Sequence, residues 1–354
     1  MKTAGELRSG FTTGSAMTAA AVAAYLDLRD RVAILLPGGG TLDIPIARRW
    51  PDGAAVVKDG GDDPDVTSGC EVAVTLCPFD GPETEADHVE PCGGGTLVVR
   101  GAAGVGRVTR PGLALPVGKS SINAGPRRML AENMAHAGFG RREGERLLLS
   151  VSVTGGEEIA RKTLNPSLGI EGGISILGHS GIVRPFSNAA YAKTIVLQLR
   201  SIAANGGRMA ALTTGNRTTG AVRRDYPELV PEGIVPIADF IRIAVRAAAA
   251  AKLETLVVGC MAGKLFKYAC GLWNTHAHRN RLMLSQLRDF GIGLDGLPLE
   301  EMETMGELAS RLTPERYREI LDAVYERARQ VLQEWAGDTR IVLALYDSEG
   351  RRLR

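Results

Sequence analysis

The chain has 354 residues, of which 44% are hydrophobic and 23% charged, with 42 lysines and arginines against 40 aspartates and glutamates. That balance excludes a disordered chain and a whole-molecule field for nucleic acid, and an aromatic fraction of 5% leaves few platforms for stacking bases. The length fits two domains. In chain order, "TGSAMTAAAVAAYLDL" predicts a helix from Thr13 to about Leu28 with threonine or serine at its amino end. The runs "RVAILL", "CEVAVTL", "GTLVVRG" and "RLLLSVSV" predict short strands, so the first half reads as α+β. Near residue 185 the rhythm changes to alternating helix and strand. A helix is expected near Ala189–Ala204, then strands "RMAALTT" and "GIVPI", a helix after Asp239, a strand "TLVVG" and a helix from about Gly263. The last helix carries Thr313 as N-cap, Pro314 at its first position, a stripe from Ile320 through Val324, Ala328 and Val331 to Trp335, and Gly337 past its end. The strand "RIVLALY" then rejoins what this alternation implies is a parallel sheet covered by helices.

The 44 glycines are spread along the chain, in runs such as 37–40, 92–96 and 171–181, where they supply tight turns and close backbone approach. Cys70, Cys77, Cys92, Cys260 and Cys270 contain no C-x-x-C pair and read as reduced, mostly buried thiols. "MKTAGELRSG" lacks the apolar core of a secretory signal, and no stretch reaches the roughly 18 apolar residues of a membrane span. A cytoplasmic protein with no membrane or nucleic-acid partner is the expectation. Self-association is left open. "PVGKSS" ends like a phosphate loop, but the earlier glycine is absent at Leu113 and no helix signal follows. "GVGRVT" fails as a dinucleotide fingerprint because Thr109 stands where the third glycine is needed. His276 and His278 form an H-x-H pair without a carboxylate or thiol at matching spacing, so no metal is expected.

Four ordered strings, "VKDGGDDPDVTSG", "GVGRVTRPGLALPVGKSSINAGPRRM", "NPSLGIEGGISILGHSGIVRPFS" and "GKLFKYACGLWNTH", together with "RSGFTTGSA", resemble the CbiD family, the cobalt-precorrin-5B (C-1)-methyltransferases of the oxygen-independent cobalamin pathway. The resemblance covers nearly the whole chain. It implies methyl transfer from S-adenosyl-L-methionine to C-1 of a cobalt corrinoid, giving cobalt-precorrin-6A. It also implies an α+β domain over 1–185, carrying the glycine-rich loops, followed by a Rossmann-like three-layer α/β domain over 186–354.

A corrinoid with several acetate and propionate arms needs cations around a broad apolar surface. Arg107, Arg110, Lys119, Arg127, Arg128 and Arg184 lie in glycine- or proline-rich segments and, with Lys264 and His276, are the candidate substrate contacts. The methyl donor needs acceptors for its amine and ribose. Asp59, Asp65, Glu171, Gly172, Gly173 and Gly178 are the candidate cofactor residues, and Asp62, Asp63 and His179 the candidates for the proton released on methylation. For the aspartates, loop-shaping Asx-turns, a magnesium or calcium site and a solvated charge cluster compete with that role. The second half departs from the family pattern: "VVGCMAGK" has Cys260 where many members have histidine, and "AHRNRL" replaces an Ala-Asp string after "NTH". A catalytically silent or altered-specificity tetrapyrrole-binding protein is the alternative reading.

Overall fold

The computed structural model describes residues 7–276, 283–291, 294 and 297–354. They fall into two units, Met1–Ser187 and Asn188–Arg354.

In the first unit the alanine-rich helix Thr13–Leu26 starts where Thr12 is extended and its hydroxyl accepts the Ser15 amide at 3.1 Å. It stops at Asp27, whose φ of 53° is left-handed, two residues before the expected end. Every residue from Thr13 to Ala24 is buried, because alanine lets neighbouring elements close in on several sides of the helix. One face of a six-stranded sheet packs on it. The strand order is Arg48–Trp50, Gly53–Val57, Glu71–Pro78, Arg146–Val153, Gly95–Gly101, His88–Cys92, and only the Arg146–Val153 and Gly95–Gly101 neighbours run parallel. Period-two residues Val72, Val74, Leu97, Val99, Leu149 and Val151 share one core with the helix. Arg31–Leu35 forms a separate hairpin with Thr41–Pro45, turned by the 37–40 run in which Gly39 and Gly40 have φ of 87° and 80°.

The structure corrects one local expectation. A helix, Ala124–His136, does follow Gly118-Lys119-Ser120, opening after the extended Asn123, whose side chain makes no capping bond, and buried through Met129, Leu130, Asn133 and Met134. Its opening "AGPRRM" hid it, since glycine and proline in a first turn suppress propensity without forbidding a helix there. The strands Gly53–Val57 and His88–Cys92 are also additions to the sequence reading. The first is mostly alanine and valine, and the second is an edge strand holding Pro91, which an edge tolerates.

The second unit holds a four-stranded, fully parallel sheet in the order Ile234–Pro236, Met209–Thr213, Thr255–Met261, Arg340–Tyr346. Alternation sorts its side chains: Ala210, Leu212, Leu256, Val258, Ile341 and Leu343 enter one core, Ala211, Val257 and Ala344 another. The first core is closed by helices Asn188–Ala204, Ile241–Ala250, Ala262–Ala269 and Pro314–Ala336, the second by Asn216–Asp225. Pro314–Ala336 is built as its sequence predicts, with Thr313 accepting the Arg316 amide at 3.3 Å and Ile320, Val324, Ala328 and Leu332 inward. No helix among the described residues is long and apolar enough to cross a membrane.

Candidate functional site

The acidic loop joins Gly53–Val57 to Glu71–Pro78, and its carboxylates hold backbone in place. Asp59 pairs with the two terminal guanidinium nitrogens of Arg8 and accepts the Gly61 amide at 2.8 Å; Arg8 holds its carboxyl below the usual range. Asp62 accepts the Arg8 amide at 3.0 Å, and Asp63 accepts the Phe186 amide at 2.9 Å. Asp65 accepts from the Lys58 ammonium at 2.6 Å and from the amide and hydroxyl of Thr67 at 2.8 and 2.7 Å. Burial alone would push the Asp65 carboxyl up, but Lys58 and Thr67 outweigh it and the net direction is down. Lys58 was not singled out by its sequence, yet only 2% of its side chain is exposed.

The loop clasps the "RSGFTTGS" segment, which the glycine-rich run 172–186 meets from its other side. Gly10-Phe11 pairs antiparallel with Ile182-Val183, and the Phe11 amide donates to the Asp59 carbonyl at 2.8 Å. A Cβ on Gly10 would stand 2.2 Å from that carbonyl oxygen, so no other residue fits. The Thr12 and Gly14 amides donate to the Gly181 and Leu177 carbonyls, and the Leu177 amide returns to the Thr13 hydroxyl at 2.9 Å. Gly173 and Gly178 make their close approaches to the protein's own Gly104 and Thr12. Gly172, at φ 80°, instead faces open space beside Glu171, whose carboxylate accepts the Thr109 hydroxyl at 3.2 Å.

The candidate arginines divide by their partners. Arg107 binds the Gly118 carbonyl at 2.8 Å and Glu85 at 3.2 Å, Arg110 binds the Pro166 carbonyl at 2.8 Å, and Arg127 is paired with Glu90 and the Ile122 carbonyl. Lys119 donates to the Asp87 carbonyl at 2.7 Å, so it is held against the protein and not presented to a phosphate. Arg128 and Arg184 are exposed and make no hydrogen bond or ion pair among the described residues. Arg128 lies one turn after Gly125, whose Cα face meets the Gly178 carbonyl and His179. His179 is exposed, as are Leu177 and Phe186, the latter 66% exposed with a left-handed φ of 54°. The run 177–186 therefore presents two apolar side chains, one histidine and one arginine, with a second arginine on the adjoining helix.

In the second unit, Lys264 belongs to a cluster. Its ammonium donates to the Asp239 carboxylate and to the Thr275 hydroxyl at 2.7 Å; that hydroxyl donates to Asp239 at 2.7 Å, and Lys267 donates to the Thr275 carbonyl at 2.7 Å. Burial alone would raise the Asp239 carboxyl, but Lys264 and Thr275 hold it below the usual range. The sequence reading named Lys264 but not Asp239, Lys267 or Thr275; an acid three residues past a strand of a parallel sheet was the available signal. His276 is exposed and its amide donates to Asn274 at 3.0 Å, whereas His278 and the rest of 277–282 lie outside the described residues. Cys260 is fully buried at the end of the Thr255–Met261 strand, and burial pushes its thiol up to about 12. It is therefore a core residue whose thiol is not presented to a ligand. Among the described residues no three histidine, cysteine or acidic side chains are grouped to hold a metal ion.

The two units define a mixed α/β protein, with glycine-dense loops meeting at one helix start in the first unit and a parallel sheet in the second. The model of the CbiD family matches residues 1–185. Similar curated proteins carry the name cobalt-precorrin-5B C(1)-methyltransferase. That of Nitratidesulfovibrio vulgaris is 38% identical over 98% of this chain and 92% of its own, and that of Salinispora arenicola is 40% identical with the same coverages. That of Geobacillus kaustophilus is 40% identical over 78% of this chain and 73% of its own. The chain belongs to the CbiD family. A crystal structure of the cobalamin biosynthesis protein CbiD from Archaeoglobus fulgidus is 25% identical, covering 75% of this chain and 80% of that one at a TM-score of 0.40, a likeness too loose to bear on how the units are arranged.

Proposed function

We propose that this protein is a C-methyltransferase of cobalamin biosynthesis that moves a methyl group from S-adenosyl-L-methionine to C-1 of cobalt-precorrin-5B, giving cobalt-precorrin-6A. The observation that carries the reading is agreement along almost the full length of the chain with bacterial proteins of that one name. We read the first unit as the α+β domain holding the reacting ring and the second as a Rossmann-like three-layer domain.

The donor supplies a methyl group already activated on a sulfonium, so the protein's task is alignment and exclusion of water more than strong acid or base chemistry. The apolar side chains of Leu177 and Phe186 offer a face for the ring, and Arg128 and Arg184 offer bidentate partners for its carboxylate arms. Methylation at a ring carbon releases a proton. His179 is the acceptor we assign, because it is exposed and its ring has no hydrogen-bond partner among the described residues, while Asp62 and Asp63 are occupied in holding Arg8 and Phe186 backbone. Glu171 and Gly172 fit the donor's amine or ribose: the one has acceptor capacity beyond its bond to Thr109, the other no side chain in the way. Asp59 and Asp65 support that surface through their loop.

The direct test is incubation of the purified protein with cobalt-precorrin-5B and methyl-labelled S-adenosylmethionine, with the product read by mass spectrometry and carbon NMR. Label on a ring carbon at C-1 supports the assignment. Tight corrinoid binding with no label transferred would make the protein a silent binder instead.

A further inference from the structure

In the second unit the strands, numbered within that unit, lie in the order 2-1-3-4, so the chain winds outward in both directions from the central pair Met209–Thr213 and Thr255–Met261. The connections after these two strands leave by opposite faces, to Asn216–Asp225 and to Ala262–Ala269, the topology that in such sheets opens a crevice at the carboxyl end. Open parallel sheets take ligands at this point. Gly215 and Gly263, at the mouths of the two connections, have open space where a Cβ would stand.

The cluster beside this crevice has an imbalance of charge. Lys264, Lys267, Thr275 and Asp239 bring two ammonium groups against one carboxylate, and the half-buried Lys267 makes no ion pair with a described carboxylate. Lys264 sits in the first turn of its helix, where the helix dipole disfavours a cation, and no acid occupies that turn. Asp239 offsets one charge only. Burial, and then Lys264, lower the Lys267 pKa, and Asp239 offsets them only in part. The Tyr268 hydroxyl, fully buried one residue on and within charge range of Asp239 and Cys260, has no hydrogen-bond partner among the described residues. A half-buried ammonium with no described carboxylate of its own, at the end of the sheet where such folds take ligands, can accept an anion supplied from outside.

We infer that Lys267, positioned by Thr275 and backed by the Lys264–Asp239 pair, binds a carboxylate of a ligand seated in the crevice of the second unit. The inference rests on the methyltransferase reading for the two sources of that carboxylate: the amino-acid end of the methyl donor, or an acid arm of the tetrapyrrole.

Isothermal titration of the full chain separates them. Four probes are used: S-adenosylhomocysteine, methylthioadenosine, which lacks the amino-acid carboxylate, a corrin heptacarboxylate, and its neutral heptaamide. Lys267→Met should weaken the carboxylate-bearing member of one pair by about tenfold to a hundredfold and leave its neutral counterpart unchanged. Lys267→Arg should restore most of the loss. A loss confined to S-adenosylhomocysteine assigns the donor, and one confined to the heptacarboxylate assigns the ring. Equal effects on charged and neutral members, or none on either, overturn the inference while the wild type's own binding leaves the function standing. A wild type that binds none of the four removes the function as well. Melting curves accompany each variant, and Lys267→Gln replaces the methionine form if that one is unfolded.

Discussion

Four aspartates in seven residues pose the same question in sequence and in structure, and the answer lies in their partners. Each faces a donor supplied by another loop or by its own turn, so their first task is to fix the shape of the site. Lys58 and Asp65 form an interior pair, and removal of one member strands a buried charge. Asp65→Ala is therefore expected to cost about 3–5 kcal/mol of stability, read from urea unfolding, while Lys58→Met with Asp65→Leu should recover much of it. Asp87 makes the point through pH. Burial would raise its carboxyl, but the Arg100 guanidinium and the Thr84 amide outweigh burial and bring it to about 2, from 3.8. A folded-state value below the unfolded one stabilises above pH 4 and is lost as pH falls toward 2, so Asp87→Asn should remove about 2 kcal/mol at pH 7 and flatten the stability profile across that window. That the aspartates cluster was plain from their spacing. That Arg8 and Phe186 would be their partners was not, because those residues are 51 and 123 positions away.

Elements were legible wherever one periodicity dominated. Arg146–Val153 alternates from Leu149 to Val153 and Pro314–Ala336 holds one apolar stripe between a cap and a stop, and both lie where their sequences predict. Thr313→Ala should cost about 1 kcal/mol, seen as a lower melting temperature, since it removes only the hydroxyl that accepts the Arg316 amide. Ala124–His136 was hidden because its stability comes from Met129, Leu130 and Met134 packing into the first-unit core, a tertiary contribution that local propensity does not report. Gly53–Val57 was hidden for the same reason. Its alanines are silent by propensity and are selected by the closeness of the Thr13–Leu26 helix.

For the whole molecule, the distribution of free cations decides what the first unit can hold. With Arg107, Arg110 and Arg127 committed to the protein, Arg128 and Arg184 are the candidates we assign to carboxylate arms there. The double variant Arg128→Ala/Arg184→Ala should weaken binding of a corrin heptacarboxylate by about a hundredfold, with less dependence on salt than the wild type and no change toward S-adenosylhomocysteine. Titrations at two ionic strengths would show it, and an unchanged affinity would move the ring elsewhere. By itself the sequence determined most strands and helices and the family, because hydrophobic period, caps and ordered glycine strings are local properties. Only the tertiary structure decided which charges are spent within the protein and which remain for a ligand. Pairing depends on distances between residues far apart in the chain, and a guanidinium in a glycine loop reads the same in sequence whether or not a carboxylate waits across the fold.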